Sequence, residues 1–160
     1  MTITSRYLGK MKADSGTVLA PIGREHLSEL TSLEEKCFSC PWSRQSFEEC
    51  LENGRYYFVG AFEGGALIGY GGISVLFDEG EVCNVAVSSE YRGRSVGRMI
   101  LSALCDEAKA RGAAILHLEV REGNSPARAL YDSFGFFTDG IRKNYYTRPA
   151  ENAVLMTKKL

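Results

Sequence analysis

The stretch NVAVSSEYRGRSVGRMIL, from Asn84 to Leu101, decides the fold. Val85, Ala86 and Val87 end an apolar strand, and Ser88 to Glu90 make a polar turn. A run of small and basic residues follows (Arg92, Gly93, Arg94, Ser95, Gly97, Arg98), and an apolar helix begins. That order suits a pyrophosphate. Unpaired N–H groups at a helix start point at the anion, and the helix dipole favours negative charge there. Small residues allow close approach of the backbone, and arginines add charge-assisted hydrogen bonds. The segment has no lysine followed by Ser/Thr, so it is not a G-x-x-x-x-G-K-[ST] loop. With only Gly93 and Gly97 it also lacks the dinucleotide G-x-G-x-x-G pattern.

Working outward, Thr17 to Ile22 reads as a short strand, and Leu27, Leu30, Leu33 and Cys37 recur at helical spacing. Pro41 interrupts the chain, Ser43 can cap a second helix, and Asn53-Gly54 ends it. Arg55–Phe62 and Ala66–Phe77 are β-rich runs joined at Gly64-Gly65, and Asp78-Glu79-Gly80 turns into a strand from Glu81 to Val87. The helix from Ser95 to Arg111 carries Val96, Met99, Ile100, Ala103, Leu104 and Ala108 on one stripe. Ala114 to Val120 is a strand, and Asn124-Ser125-Pro126 starts a helix with Leu130, Tyr131 and Phe134 inward. Strand-like segments near Phe136–Tyr146 and Val154–Leu160 close the chain. The order β-α-α-β-β-β-α-β-α-β-β predicts an α/β fold with a mixed sheet, parallel where the one β-α-β crossover joins its strands.

The chain has 160 residues, 44% apolar and 24% charged, which fits one domain over 17–160 after a basic tail over 1–16, expected to be mobile. A net charge of −1 gives no global attraction to nucleic acid or to an anionic membrane. No apolar run reaches the length of a membrane span, and the N-terminal residues lack the apolar core of a secretory signal, so a cytoplasmic location is expected. Cys37-Phe-Ser-Cys40 has metal or redox spacing, but zinc needs a second pair, and neither of the two histidines stands at ligand spacing from the other. A reduced packing role for Cys37 and no bound metal are expected.

Along the strand 114–120, Leu116, Leu118 and Val120 face one way, and Ile115, His117, Glu119 and Arg121 face the other. A carboxylate amid apolar neighbours is costly unless paired or used. Glu119 is therefore either neutralised by Arg121 on its own face or is a general base, acting directly or through water. His117 is the competing base. Tyr131 is either an aromatic core residue or a proton donor to a departing thiolate.

Asn84-Val-Ala-Val87, Tyr91-Arg-Gly-Arg-Ser-Val-Gly-Arg98, Leu118-Glu-Val-Arg121, Asn124 and Ala129-Leu-Tyr-Asp-Ser-Phe-Gly-Phe136 together resemble the GNAT N-acetyltransferases. With Pro41-Trp42-Ser43 and Arg142-Lys-Asn-Tyr-Tyr146, they resemble the bacterial ribosomal-protein-alanine group most closely. The resemblance implies a sheet of about seven strands with about four helices, splayed at the parallel crossover strands. It implies acetyl-CoA as co-substrate, its pantetheine arm on Val85, Ala86 and Val87. The pyrophosphate would lie on Gly93, Arg94, Ser95, Val96, Gly97 and Arg98, with Asn124 further along the cofactor. Glu119 matches the family's base and Tyr131 its acid. Trp42, Tyr145 and Tyr146 would line a groove for a protein N-terminus, a ribosomal protein's alanine. Ordinary packing is the competing reading of these three aromatics. Ser95 departs from the usual Gln/Arg-x-x-Gly-x-Gly/Ala, and a site that needs φ > 0 there would strain it. The rival functions are acetylation of a small amine (a polyamine, an amino acid or an antibiotic) and a non-catalytic acyl-CoA sensor. Oligomeric state is not readable from the sequence.

Overall fold

The computed structural model describes residues 16–160. The expected tail lies outside the described residues, apart from Gly16. In chain order the elements are β1 (Val18–Pro21), α1 (Leu27–Cys37), α2 (Arg44–Glu52), β2 (Tyr56–Glu63), β3 (Ala66–Leu76), β4 (Glu79–Val87), α3 (Val96–Ala110), β5 (Ile115–Arg121), α4 (Ser125–Ser133), β6 (Phe137–Thr147) and β7 (Ala150–Lys159). The strands form one seven-stranded sheet in the order β1-β2-β3-β4-β5-β7-β6. All pairs are antiparallel except β4 with β5.

The predicted order of elements stands, with two strand starts shifted by more than one residue. β4 begins at Glu79 rather than Glu81, because Leu76 pairs with Glu79 and only Phe77 and Asp78 make the turn, with Phe77 at φ 55. β7 begins at Ala150 rather than Val154, because its first residues are polar. Glu151 accepts from the Gly123 N–H at 2.6 Å, and Asn152 accepts from the Asn144 N–H at 3.0 Å. Such residues extend a strand without extending its apolar alternation.

Helices cover both faces. The stripe of α3 and the Tyr131 side of α4 pack with Val59, Ile73, Leu116 and Leu118 in one core. Leu27, Leu30 and Leu33 of α1 and Phe47 of α2 pack with Phe58 and Tyr70 in the other. Each fully buried side chain of this size contributes about 1.5–3 kcal/mol. Helix α3 lies directly on Gly71, where a Cβ would stand 2.5 Å from Ile100 Cγ2. Only glycine admits that approach, which seats the start of α3 beside the end of β4.

The parallel pairing is short. Glu79, Gly80 and Glu81 pair with Ile115, Leu116 and His117, and then the two strands diverge. On the other side of β4, Gly72 pairs with Asn84 and Ile73 with Val82, which leaves Cys83 as an extra, bulged residue. A bulge bends its strand and adds twist. β5 meanwhile continues along β7 as far as Arg121 opposite Ala153. The splay thus opens where β4 bends away and β5 does not follow.

Candidate active site

Residues 84–87 keep their ladder with β3 but have no partner strand on the side toward β5. Backbone groups alternate along an antiparallel pair, and the Ser88 N–H donates to the Ile68 carbonyl. Val85 and Val87 therefore turn their N–H and C=O groups to the gap. The Val87 carbonyl agrees, since it accepts from Arg92 Nε at 3.1 Å and from the Cys37 thiol at 3.7 Å rather than from β3.

The loop after β4 delivers the chain to α3 through two left-handed residues, Gly93 at φ 76 and Ser95 at φ 63. Ser95 is the N-cap of α3, yet its side chain makes no capping bond. The first helical bond runs from the Met99 N–H to the Ser95 carbonyl at 3.0 Å, so the N–H groups of Val96, Gly97 and Arg98 have no partner within the helix. The strain foreseen for serine is present.

These segments line a cleft of about 620 Å³ together with Cys37, Phe38, Asn124, Leu130 and Tyr131. Val85, Ala86, Val87, Gly93, Ser95, Val96, Gly97 and Arg98 all border it. Arg94 does not, because its guanidinium pairs with Glu63 at 2.9 Å and lies over the Tyr91 ring. Arg98 donates to Ser133 Oγ at 2.9 Å. Asn124 caps α4, accepting from the Ala127 N–H at 3.3 Å. Tyr131 is 7% exposed and packs edge-on against Phe136, and burial pushes its hydroxyl up to about 12. The loop thus offers the backbone donors, small residues and positive charge that a pyrophosphate needs, and the open edge of β4 suits an extended amide-bearing arm.

Glu119 stands on the opposite sheet face from Tyr131, so the two groups approach the gap from different sides. It does not pair with Arg121. Its Oε1 meets Arg142 at 3.0 Å, and the Tyr145 hydroxyl donates to the same carboxylate. Residues two apart on a strand stand side by side, and stronger partners draw Arg121 across to the β6–β7 turn. Arg121 pairs with Glu151 at 3.2 Å, donates to the Pro149 carbonyl at 3.0 Å and covers the Tyr146 ring at 4.3 Å. An irregular register at Asn144, φ 54, sets Tyr145 and Tyr146 edge to face at 5.0 Å. The bond to Glu119 holds the Tyr145 hydroxyl above its usual range. Burial, and then the charge of Glu119, push Tyr146 up to about 12.

Trp42 lies elsewhere, against Phe47 and edge-on to Phe58 in the α1/α2 core. His117 is held through Nδ1, 3.0 Å from Thr157 Oγ1, which itself donates to Asp139 at 3.1 Å. Thr157 must then accept from His117, so Nδ1 carries the proton and Nε2 is the basic nitrogen.

Sequence reasoning missed Glu34. This α1 carboxylate is 1% exposed and accepts from the Tyr70 hydroxyl, from the Trp42 N–H at 3.0 Å and from Asn84 Nδ2 at 3.2 Å. The signal was there, since Glu34 falls between Leu30 and Cys37 on the apolar stripe of its helix. Phe38, which lines the cleft, carried no such signal.

The sequence profile of the acetyltransferase (GNAT) family matches residues 27–136. The chain is 36% identical over 126 residues to the [ribosomal protein bS18]-alanine N-acetyltransferase of Escherichia coli K12, covering 78% of this chain and 84% of that one. It is 36% identical over 155 residues to the N-alpha-acetyltransferase RimI of Mycobacterium tuberculosis, covering 92% and 96%. The crystal structure of the ribosomal-protein-S18-alanine N-acetyltransferase from Escherichia coli superposes with a TM-score of 0.82 at 32% identity, over 89% of this chain and 93% of that one. A splayed β4–β5 pair, an uncapped helix start after it and a profile match over most of the chain have one meaning: this protein is an N-acetyltransferase belonging to the GNAT family.

Proposed function

We propose that the chain moves the acetyl group of acetyl-CoA to the N-terminal α-amine of a ribosomal protein that begins with alanine, by direct attack within a ternary complex. One observation carries this reading. The open backbone edge of β4 meets the uncapped start of α3 at a cleft lined by Tyr131, and Glu119 stands on β5, the strand across the gap, on the other sheet face. Val85 and Val87, with Ala86 between them, would pair with the pantetheine arm, and Gly93 to Arg98 would hold the pyrophosphate, Arg94 through its backbone. Asn124 would touch the cofactor further along.

Chemically, an ammonium must lose a proton before it can attack. Glu119 takes that proton through water, the amine adds to the thioester carbonyl, and the N–H of Val87 faces the developing oxyanion. The carbon–sulfur bond then breaks, Tyr131 gives its proton to the leaving CoA thiolate, and the second proton of the attacking nitrogen, lost as the amide forms, restores the Tyr131 hydroxyl through water. With its hydroxyl near 12, Tyr131 stays protonated at neutral pH, as an acid must. An acyl-cysteine route is disfavoured, because burial pushes the Cys37 thiol up and keeps thiolate scarce. An α-amine, with a pKa of about 8, needs less help than a lysine at about 10.4. Tyr145 and Tyr146 would flank the incoming chain end beside Glu119. Trp42 would act from behind, shaping the α1–α2 connector.

The fixed tautomer of His117 favours it as the second candidate for the base. Glu119→Gln and Tyr131→Phe should each lower kcat by about 10²–10⁴-fold with little change in acetyl-CoA affinity. The measurement is turnover on an alanine-terminated ribosomal-protein peptide against free amines. Faster turnover of a polyamine, an amino acid or an antibiotic would replace the acceptor assignment, and no CoA release with any amine would support a sensor. A large loss in His117→Phe with none in Glu119→Gln would move the base to His117.

A further inference from the structure

We infer that Glu34, with Tyr70 and Asn84, forms a positioning network that couples the cofactor strand to the connector on the acceptor side. The inference rests on the acetyl-CoA reading above. Three segments meet on one carboxylate: Tyr70 of β3 and Asn84 of β4 through side chains, and the connector 38–43 through the Trp42 N–H. Asn84 Nδ2 also reaches the Tyr70 hydroxyl at 3.0 Å, so the cluster closes on itself.

Its position gives it a task beyond packing. Asn84 directly follows the bulged Cys83, where β4 leaves β5 and its open edge begins. The connector carries Phe38 to the cleft wall and Ser39 to Arg121 Nη2 at 3.4 Å, next to Tyr146 and the Glu119 cluster. A shift of β4 on loading the cofactor is therefore transmitted to the connector through Glu34. A buried carboxylate is costly to desolvate, and burial pushes the Glu34 carboxyl up while the Tyr70 hydroxyl and Trp42 N–H offset it. Two apolar residues of matching shape would hold the core at lower cost. A directional network instead fixes one arrangement of three segments at once.

Trp42 is the single tryptophan of the chain and sits on the connector, so its emission reports the coupling. The experiment titrates CoA into the wild-type chain, Tyr70→Phe and Glu34→Gln. Binding is read by calorimetry and the connector by Trp42 fluorescence. Tyr70→Phe removes only a hydroxyl and keeps the ring between Phe47 and Phe58, so it preserves the fold if Glu34→Gln does not. Expected are a CoA-dependent change of Trp42 emission in the wild type, its loss in the variants, and affinity weakened about 5- to 10-fold. CoA binding without an emission change in the wild type, or the full change retained in Tyr70→Phe, overturns the coupling. No calorimetric binding of CoA to the wild type would instead overturn the acetyl-CoA reading itself.

Discussion

Replacing Ser95 by glycine tests how the loop before α3 is held. Ser95 sits at φ 63, ψ 15, left-handed, and its side chain makes no capping bond. A non-glycine residue there costs about 1–2 kcal/mol. Ser95→Gly removes that strain but gives the unfolded chain more freedom, which costs about 0.4–1 kcal/mol. The balance is a gain of about 0.5–1 kcal/mol, or about 1–4 °C in Tm for a chain of this size. Gly93→Ala is the mirror experiment. Gly93 has φ 76, and a Cβ there meets nothing within 4 Å, so only backbone strain is added and Tm should fall. Affinity follows a different rule. Strain present both before and after CoA binds cancels, so Ser95→Gly should leave the CoA Kd within about threefold. Thermal unfolding and calorimetry read the two quantities separately. A Tm that stays level or falls in Ser95→Gly refutes the strain argument. A tenfold gain in affinity would mean that the loop takes its left-handed form only around the cofactor.

Alkaline pH should destabilise the fold before it disables the acid. Burial pushes Tyr57 and Tyr131 up to about 12 and Cys105 up to about 11. Unfolded phenols and thiols lose their protons near 10 and 8.5, so between those values and the folded ones the unfolded state is favoured. The stability these groups contribute is whole below about pH 8 and is lost as pH rises toward 12. The urea midpoint at pH 10.5 should lie below that at pH 8 with an unchanged slope, and equal midpoints would contradict it. In the α1/α2 core, Phe47 is fully buried within 6 Å of the rings of Trp42, Phe58 and Tyr70. Phe47→Ala should cost about 3–5 kcal/mol in urea unfolding, and a loss under 1 kcal/mol would mean that the core closes around the gap.

What could be read from the chain and what could not divide by range. Apolar spacing along one element was enough for α3, α4 and the alternation of β5, because a helix or strand that buries one face writes its period into its own residues. The resemblance supplied the splayed sheet and the candidate site residues, of which Val85 to Val87, Gly93, Ser95 to Arg98, Asn124 and Tyr131 line one cleft, while Trp42, Arg94, Glu119, Tyr145 and Tyr146 are not among its lining. Side-chain partners were harder. Glu119 and Arg121 are neighbours on one strand, yet their partners, Arg142 and Glu151, come from the β6–β7 hairpin. Arg94 has the right charge beside the right glycine, and Glu63 of β2 takes it. Such pairings depend on which strands become neighbours, and no local period encodes that.

Three places where local rules fail lie around the gap, and this argues for a common cause among them. A serine occupies a glycine conformation at the start of α3, a carboxylate is buried on an apolar helix stripe, and one residue is bulged out of β4. Each is unfavourable by itself and would be removed by selection for stability alone. Together they do one thing. The bulge bends β4 from β5, the Glu34 network holds the bent segment from behind, and the left-handed pair at Gly93 and Ser95 brings the N-terminus of α3 to its end. A regular parallel β4–β5 pair would satisfy more backbone hydrogen bonds, but it would close the edge on which an extended substrate arm can be held. The local costs are what keep that edge open, so replacing the whole Glu34–Tyr70–Asn84 network by apolar residues of matching shape should stabilise the sheet while weakening the hold on CoA.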